Sequence, residues 1–436
     1  MTPPAWLKKA VIYQIFTGRW EAKISANKII YNDTFNELSK RDWSKLLDLG
    51  LNTFYFLGIF DNSGPIIVME ENGKSLPPSQ YPRVPSIFAI SNHKQLNQNL
   101  GTQEEFIALV EHLHELGGFA IVDFVPNHTS IVHPWVKNHP DYYVKNNDRL
   151  TAEFSGDVLK LNYENPNLQD EMVKVLLWIA KLGVDGVRCD MAHLVPDFFW
   201  KKAIETVKNH NPDFAFIAEA YPVSLFDYQN IHNLYSAGFD AIYNNGLFEN
   251  TKKVVFENQP IEFLKAYLES LHENQPGLKV NYFFNHDDPP FDNKTTTPSL
   301  HKLSHQYLEA LLALILFIPD IPFIYNGTFQ GLVHRLAHHW FEPLDSKYLE
   351  IKNVVPTTIR KLFNLHKQID RNVSKLEKIA VCNNILTFSN DRYRIALNFS
   401  KKDQSLEFIF PSQTGLVHKL TSSSSLPPGK AELWRK

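Results

Sequence analysis

Val184-Asp185-Gly186-Val187-Arg188-Cys189-Asp190 is an apolar run of strand length that ends on a carboxylate. Seven more segments share its pattern. Residues 11–17, 52–58, 119–125, 214–219, 241–244, 279–285 and 322–326 are short, largely apolar, and bounded by Gly, Asn, Asp or Pro. Strands buried on both faces of a parallel sheet have this composition, because neither face meets water. Between them lie stretches of helical period. In Thr102 to Leu116, the residues Phe106, Leu109, Val110 and Leu113 form one stripe, and Thr102 with Glu105 makes a capping box. Residues 168–182 and 303–317 behave similarly. Eight strands each followed by helical sequence predict an α/β fold closed into a (β/α)₈ barrel. The alternative, an open doubly wound sheet, calls for a glycine-rich phosphate turn after its first strand. Here Phe16 is followed by Thr17-Gly18-Arg19-Trp20, with no such motif.

Two stretches break the alternation. From 129 to 165 the chain lacks helical period and is rich in Pro, Asn, Asp and Tyr. That is too long for a simple βα loop and predicts a subdomain inserted after the third strand, over the barrel mouth. After a helix expected at 355–370, short alternating runs at 378–381, 385–388, 393–397 and 406–410 predict a compact antiparallel β domain over 373–436. The stretch 421–425, followed by Pro427-Pro428-Gly429, reads as a surface loop. The barrel is then assigned to 1–128 and 166–372.

Composition excludes several function classes. The 436 residues carry 44 Lys and Arg against 47 Asp and Glu, a formal charge of −3, which provides no field for nucleic acid or an anionic membrane. Two cysteines, Cys189 and Cys382, are too few for a disulfide framework or a zinc cluster. The longest apolar run, 310–319, is too short to span a bilayer, and no signal-peptide pattern opens the chain, so a cytoplasmic protein is expected. Oligomeric state is not readable. Aromatic residues are in excess at 13%, which suits either a core or the faces that pack on sugar rings.

The working residues of a (β/α)₈ barrel lie at the C-terminal ends of its strands. Here those ends read Asp123-Phe124-Val125-Pro126-Asn127-His128, Gly186 to Asp190, Ala218-Glu219 and Asn285-His286-Asp287. A charge at the end of an apolar strand must be paired or solvated. One such ending is explained by a structural ion pair; three carboxylates converging on one mouth are not. Arg188 lies two residues before Asp190, so both share a strand face and Arg188 can hold Asp190 ionised. Converging carboxylates suit acid, base and nucleophilic work on a glycosidic bond. A metal reading is weaker: His93, His128, His193 and His286 show no ligand spacing.

These endings, in this order, resemble the four signature regions of the α-amylase family of glycoside hydrolases (family 13-like), and Pro322-Phe323-Ile324-Tyr325-Asn326-Gly327 resembles its eighth strand. The resemblance covers nearly the whole chain. It implies that Asp190 is the nucleophile, Glu219 the general acid/base and Asp287 the stabiliser of the transition state. It implies that His128 and His286 bind sugar hydroxyls, that Arg188 attends the nucleophile, and that Asp123 binds or only organises the site. Phe88 stands where the family has a stacking Tyr, the alternative being a core residue. His193 stands where a Lys or His often faces the leaving group, the alternative being a loop histidine. The sequence Val158-Leu159-Lys160-Leu161-Asn162 puts a lysine where calcium-dependent members place an Asp ligand, which makes calcium doubtful, so no cofactor and no metal is expected.

The implied activity is retaining hydrolysis of α-glucosidic bonds, α-1,4 first, in α-glucans or maltooligosaccharides. The alternatives are a transglycosylase of the same family and a non-catalytic carbohydrate-binding or scaffold relative. The sequence leaves chain-length preference, α-1,4 against α-1,6 linkage and endo against exo action open.

Overall fold

A computed structural model describes residues 2–19, 22–25, 28–64, 83–154, 156–222, 229–271, 277–287, 298–330, 341, 355–370, 375–406 and 425–436. Eight parallel strands close a barrel: β1 Ile12–Phe16, β2 Thr53–Leu57, β3 Phe119–Phe124, β4 Gly186–Cys189, β5 Ala215–Ala218, β6 Ala241–Tyr243, β7 Leu278–Asn281 and β8 Ile321–Tyr325. Neighbours pair in chain order, and β1 closes the ring against β8, with Gln14 opposite Tyr325. Asn326 reinforces that seam: its N–H donates to Gln14 O at 2.9 Å and its Oδ1 accepts from Phe16 N at 3.1 Å. Every residue of β1, β2 and β8 is buried, as an apolar run with helices outside and a packed interior requires.

The expected helices form. Gln103–Glu115 opens on the capping box, with Glu105 N donating to Thr102 Oγ1 at 3.2 Å and Thr102 N to Glu105 Oε2 at 2.9 Å. Its buried stripe is Phe106, Leu109, Val110 and Leu113. Pro166–Lys181 and Pro298–Phe317 follow β3 and β7. No helix among the described residues is long and apolar enough to cross a membrane.

One strand is shorter than expected. The seventh was anticipated over 279–285, but its ladder stops at Asn281. The last residue of that ladder, Asn281, lies opposite Pro322 and donates its side-chain Nδ2 to Pro319 O at 2.6 Å. Tyr282, Phe283 and Phe284 stay buried outside the ladder, and the chain leaves the barrel as an irregular segment that carries His286 and Asp287.

Between β3 and the helix Pro166–Lys181, His128–Ser130, Val158–Lys160 and Ala152–Glu153 build a small antiparallel sheet over the mouth. Its first strand begins at His128, so the sheet grows directly out of the β3 ending. The C-terminal sheet is antiparallel, in the order β9 Glu377–Cys382, β10 Ile385–Ser389, β11 Tyr393–Asn398 and β12 Ala431–Arg435. The anticipated strand at 406–410 lies, beyond Leu406, outside the described residues; the fourth strand of this sheet is β12. Pro427-Pro428-Gly429 is no free surface loop either. Gly429, at φ +72°, donates its N–H to Asn398 O at 2.7 Å and accepts from Ala310 N at 3.0 Å. A Cβ there would lie 1.7 Å from Gln306 O, so only glycine lets this turn seat against the helix Pro298–Phe317.

Candidate active site

β4 and β5 pair Cys189 with Ala218, so the next residues, Asp190 and Glu219, stand side by side where the two strands end. On the other flank, β3 places Asp123 opposite Arg188. Strand register alone thus brings three acids around one guanidinium.

Arg188 is wholly buried and its fork organises the cluster. Nη1 donates to Asp190 Oδ1 at 2.7 Å and to Asp123 Oδ1 at 3.0 Å. Nη2 lies 2.7 Å from Glu219 Oε1 and 3.7 Å from Asp287 Oδ2. The planar, permanently charged fork is suited to holding several carboxylates in fixed relative positions. Asp123 is further held by Tyr55, whose hydroxyl donates to Oδ1 at 2.7 Å.

Glu219 has two more donors. Met191 N–H reaches Oε2 at 2.8 Å and the Tyr221 hydroxyl reaches Oε1 at 3.0 Å. Met191 directly follows the nucleophile candidate and has φ +45°, left-handed and uncommon for a side-chain-bearing residue. That conformation brings its N–H onto Glu219, so the uncommon backbone falls where the two candidate carboxylates meet.

Charge balance corrects one expectation. Arg188 does pull Asp190 toward ionisation, but burial wins and pushes the Asp190 carboxyl well above the usual range, with Glu219, Asp123 and Asp287 adding repulsion. Burial pushes Asp123 upward too. One guanidinium cannot neutralise so many buried acids, so the substrate-free cluster retains protons that a surface carboxylate would lose.

The remaining candidates divide. His286 is fully buried, its Nε2 2.8 Å from Asp287 Oδ2. The Phe88 ring is 5.5 Å from the His286 ring and has the Arg188 guanidinium 5.5 Å from its centroid, so Phe88 faces the site and is not a remote core residue. His128 lies in the subdomain sheet, with Nδ1 3.2 Å from Asn127 Nδ2 and its ring 5.3 Å from that of Phe154. Burial holds His128 neutral, with a pKa of about 4, against the pull of Glu153, Asp157 and a bond to the Phe88 backbone. His193 sits in the short helix after Met191, its ring 5.5 Å edge-on to Tyr221. Burial lowers its pKa and leaves Nδ1 without a hydrogen-bond partner. His93 stays outside the cluster: Nε2 bonds Val125 O at 3.0 Å and the ring stacks on Trp135 at 5.4 Å.

The residues where calcium would sit do not fit it. Lys160 Nζ is 2.9 Å from Glu153 Oε1, and Asn127 turns its Nδ2, a donor, to Glu153 Oε2 at 2.6 Å. An ammonium and an amide N–H occupy the places where a hard cation needs oxygens. Among the described residues no three His, Cys, Asp or Glu side chains gather as a metal site.

The family model for the α-amylase catalytic domain matches residues 76–154 and 150–406. The chain belongs to the α-amylase family. Alpha-amylase 3 of Dictyoglomus thermophilum is 25% identical over 387 residues, covering 79% of this chain and 70% of that protein. An intracellular maltogenic amylase of Bacillus subtilis is 30% identical over 244 residues, covering 50% of this chain and 39% of that protein. The solved structure of an α-amylase from Lactobacillus plantarum superposes with TM-score 0.75 at 21% identity, covering 99% of both chains. That likeness is one of fold.

Sequence reading missed Tyr55, Tyr221 and Gln14. Tyr55 and Tyr221 carry the usual signal of core aromatics. Gln14 had a signal: it is the one amide in the apolar run Val11 to Phe16.

Proposed function

We propose that this chain is a retaining α-glycosidase acting on α-glucosidic bonds, α-1,4 first, in α-glucans or maltooligosaccharides. The observation that carries the reading is Asp190 beside Glu219 on adjacent strand ends, gripped by one Arg188. Adjacent strands lie roughly 4.7–4.9 Å apart, which suits the separation of about 5–5.5 Å between the carboxyls of a retaining enzyme and leaves no room for a water between them.

In this mechanism the Asp190 carboxylate attacks the anomeric carbon while Glu219 gives its proton to the departing oxygen. A covalent β-glycosyl intermediate forms. Glu219 then takes a proton from water, which displaces Asp190 and restores the α configuration. Asp287 and His286 hold sugar hydroxyls and balance the oxocarbenium charge, Phe88 offers a stacking face, and His128 and His193 line the approach. Asp123 acts through Arg188. Asp190 attacks only when ionised, so activity falls as pH drops through its raised value. That acid limb lies above the ordinary aspartate range near about 3.9.

The same intermediate can be intercepted by a sugar hydroxyl, which is the transglycosylase reading. A cytoplasmic setting is in keeping with the intracellular maltogenic relative. The test is proton NMR of the first product released from a maltooligosaccharide, with and without added acceptor. The α anomer first supports retention, and longer products with acceptor mark transfer. The β anomer first would refute the mechanism and make Asp190 a general base.

A further inference from the structure

We propose that Gln14 is a positioning residue that fixes the tautomer of His286, keeping the ring hydrogen on Nε2, the nitrogen on the Asp287 side. The role of His286 toward the sugar rests on the function proposed above; the tautomer does not.

Gln14 lies in the middle of β1, and both it and His286 are fully buried. Gln14 Nε2 is 2.7 Å from His286 Nδ1, although β1 and β7 are separated by β8 in the barrel order. An amide nitrogen only donates, so Nδ1 must present its lone pair, and a neutral imidazole then carries its hydrogen on Nε2. That atom is 2.8 Å from Asp287 Oδ2. Turning the amide over would put Oε1 on Nδ1 and move the ring hydrogen there. Nε2 would then set a lone pair against the Asp287 carboxylate. Amide orientation is decided by such networks, and this one favours Nε2 toward the ring.

A second observation separates this role from packing. With Nε2 on the imidazole, Gln14 Oε1 is buried with no hydrogen-bond partner. A buried orphan carbonyl is a cost to the fold, which a leucine in the same slot would avoid. Fold stability therefore gives no reason for an amide here, whereas the ring nitrogen across the mouth does. The charged groups around His286 are Asp287, Arg188 behind it, and Asp123.

The experiment uses the full chain with ¹⁵N-labelled histidine, the His286 signal being assigned by its loss in His286→Asn. The substrate-free protein should show the Nε2–H tautomer. Gln14→Glu, nearly isosteric but an acceptor, should place a hydrogen on Nδ1, as the Nδ1–H tautomer or the imidazolium, and lower kcat tens-fold with KM much less affected. Gln14→Met, of similar length with no partner, should leave a mixture of tautomers and lose kcat only several-fold. A packing role predicts no tautomer change in either variant. Observing that, or a wild-type Nδ1–H tautomer, overturns the proposal. Should Gln14→Glu fail to fold, Gln14→Met and the wild-type spectrum still decide it. An intact tautomer pattern in a protein that cleaves no glycoside would sink the function and leave this inference standing.

Discussion

Arg188→Met takes the only cation from the middle of the carboxylate cluster while keeping an unbranched chain in its slot. In the wild type the guanidinium is unexposed and lies 2.7 Å from Asp190, 3.0 Å from Asp123 and 2.7 Å from Glu219. Removing one partner of a buried ion pair costs about 3–5 kcal/mol, because the other charge is left behind. Here several acids are left. They respond by keeping protons, since the guanidinium is the chief opponent of the burial that already raises Asp190 and Asp123. Their folded-state pKa values then lie far above the unfolded ones, so the folded state binds more protons and stability falls as pH rises through them. We expect a loss of about 3–5 kcal/mol at pH near 7.5 that shrinks substantially toward pH near 3.5, where the acids are largely protonated in both states. Urea unfolding of both proteins at the two pH values reads this directly, provided the slopes agree. Arg188→Lys should fall between, keeping the charge without the fork. A loss below about 1 kcal/mol, or one that does not change with pH, would refute the picture of Arg188 as the counter-charge of a buried acid cluster.

Asp190→Asn should abolish turnover and raise the melting temperature at neutral pH, because burial penalises the ionised carboxyl. The gain should open as pH rises above about 3.9 and close below it; a variant less stable than wild type at pH 7 would contradict this. Chelation should change neither activity nor melting temperature, given Lys160 against Glu153, and a loss restored specifically by calcium would sink that expectation. Tyr221→Phe removes one donor from Glu219. Tyr221 orients the Glu219 carboxyl, so kcat/KM should fall roughly tenfold, about 1.4 kcal/mol, beyond any small loss in melting temperature; lowered melting with intact kcat would make Tyr221 a packing residue.

The barrel was legible because both faces of its strands are buried, which leaves uninterrupted apolar runs between turn residues. The same property misled at 282–285, where Tyr282, Phe283 and Phe284 are as buried as any strand yet lie outside the ladder. Hydrophobicity reports burial, not strand pairing. The charged strand ends gave away Asp190 and Glu219, since carboxylates there demand a reason. Their supports were hidden. Tyr55 meets Asp123 from 68 residues away, and a tyrosine in an aromatic-rich chain looks like core until its hydroxyl is seen to land on a carboxylate. The balance on Asp190 was equally out of reach: Arg188 is visible two residues earlier, while the burial that outweighs it, and the repulsion of Glu219, Asp123 and Asp287 that adds to it, come from distant parts of the chain.

The seam between β1 and β8 has a consequence for biogenesis. Phe16 and Asn326 are 310 positions apart, so the ring is shut only by segments made far apart in time during synthesis. Contacts of such long range are slow to form, and a growing chain folds from its N-terminal side. Until β8 has left the ribosome, β1 and the Gln14 amide face an open edge, and the carboxylate cluster has no floor beneath it. Half a ring offers no partly working catalyst. The ring is therefore completed only when β8 is made, and until then β1 is paired on its β2 side alone.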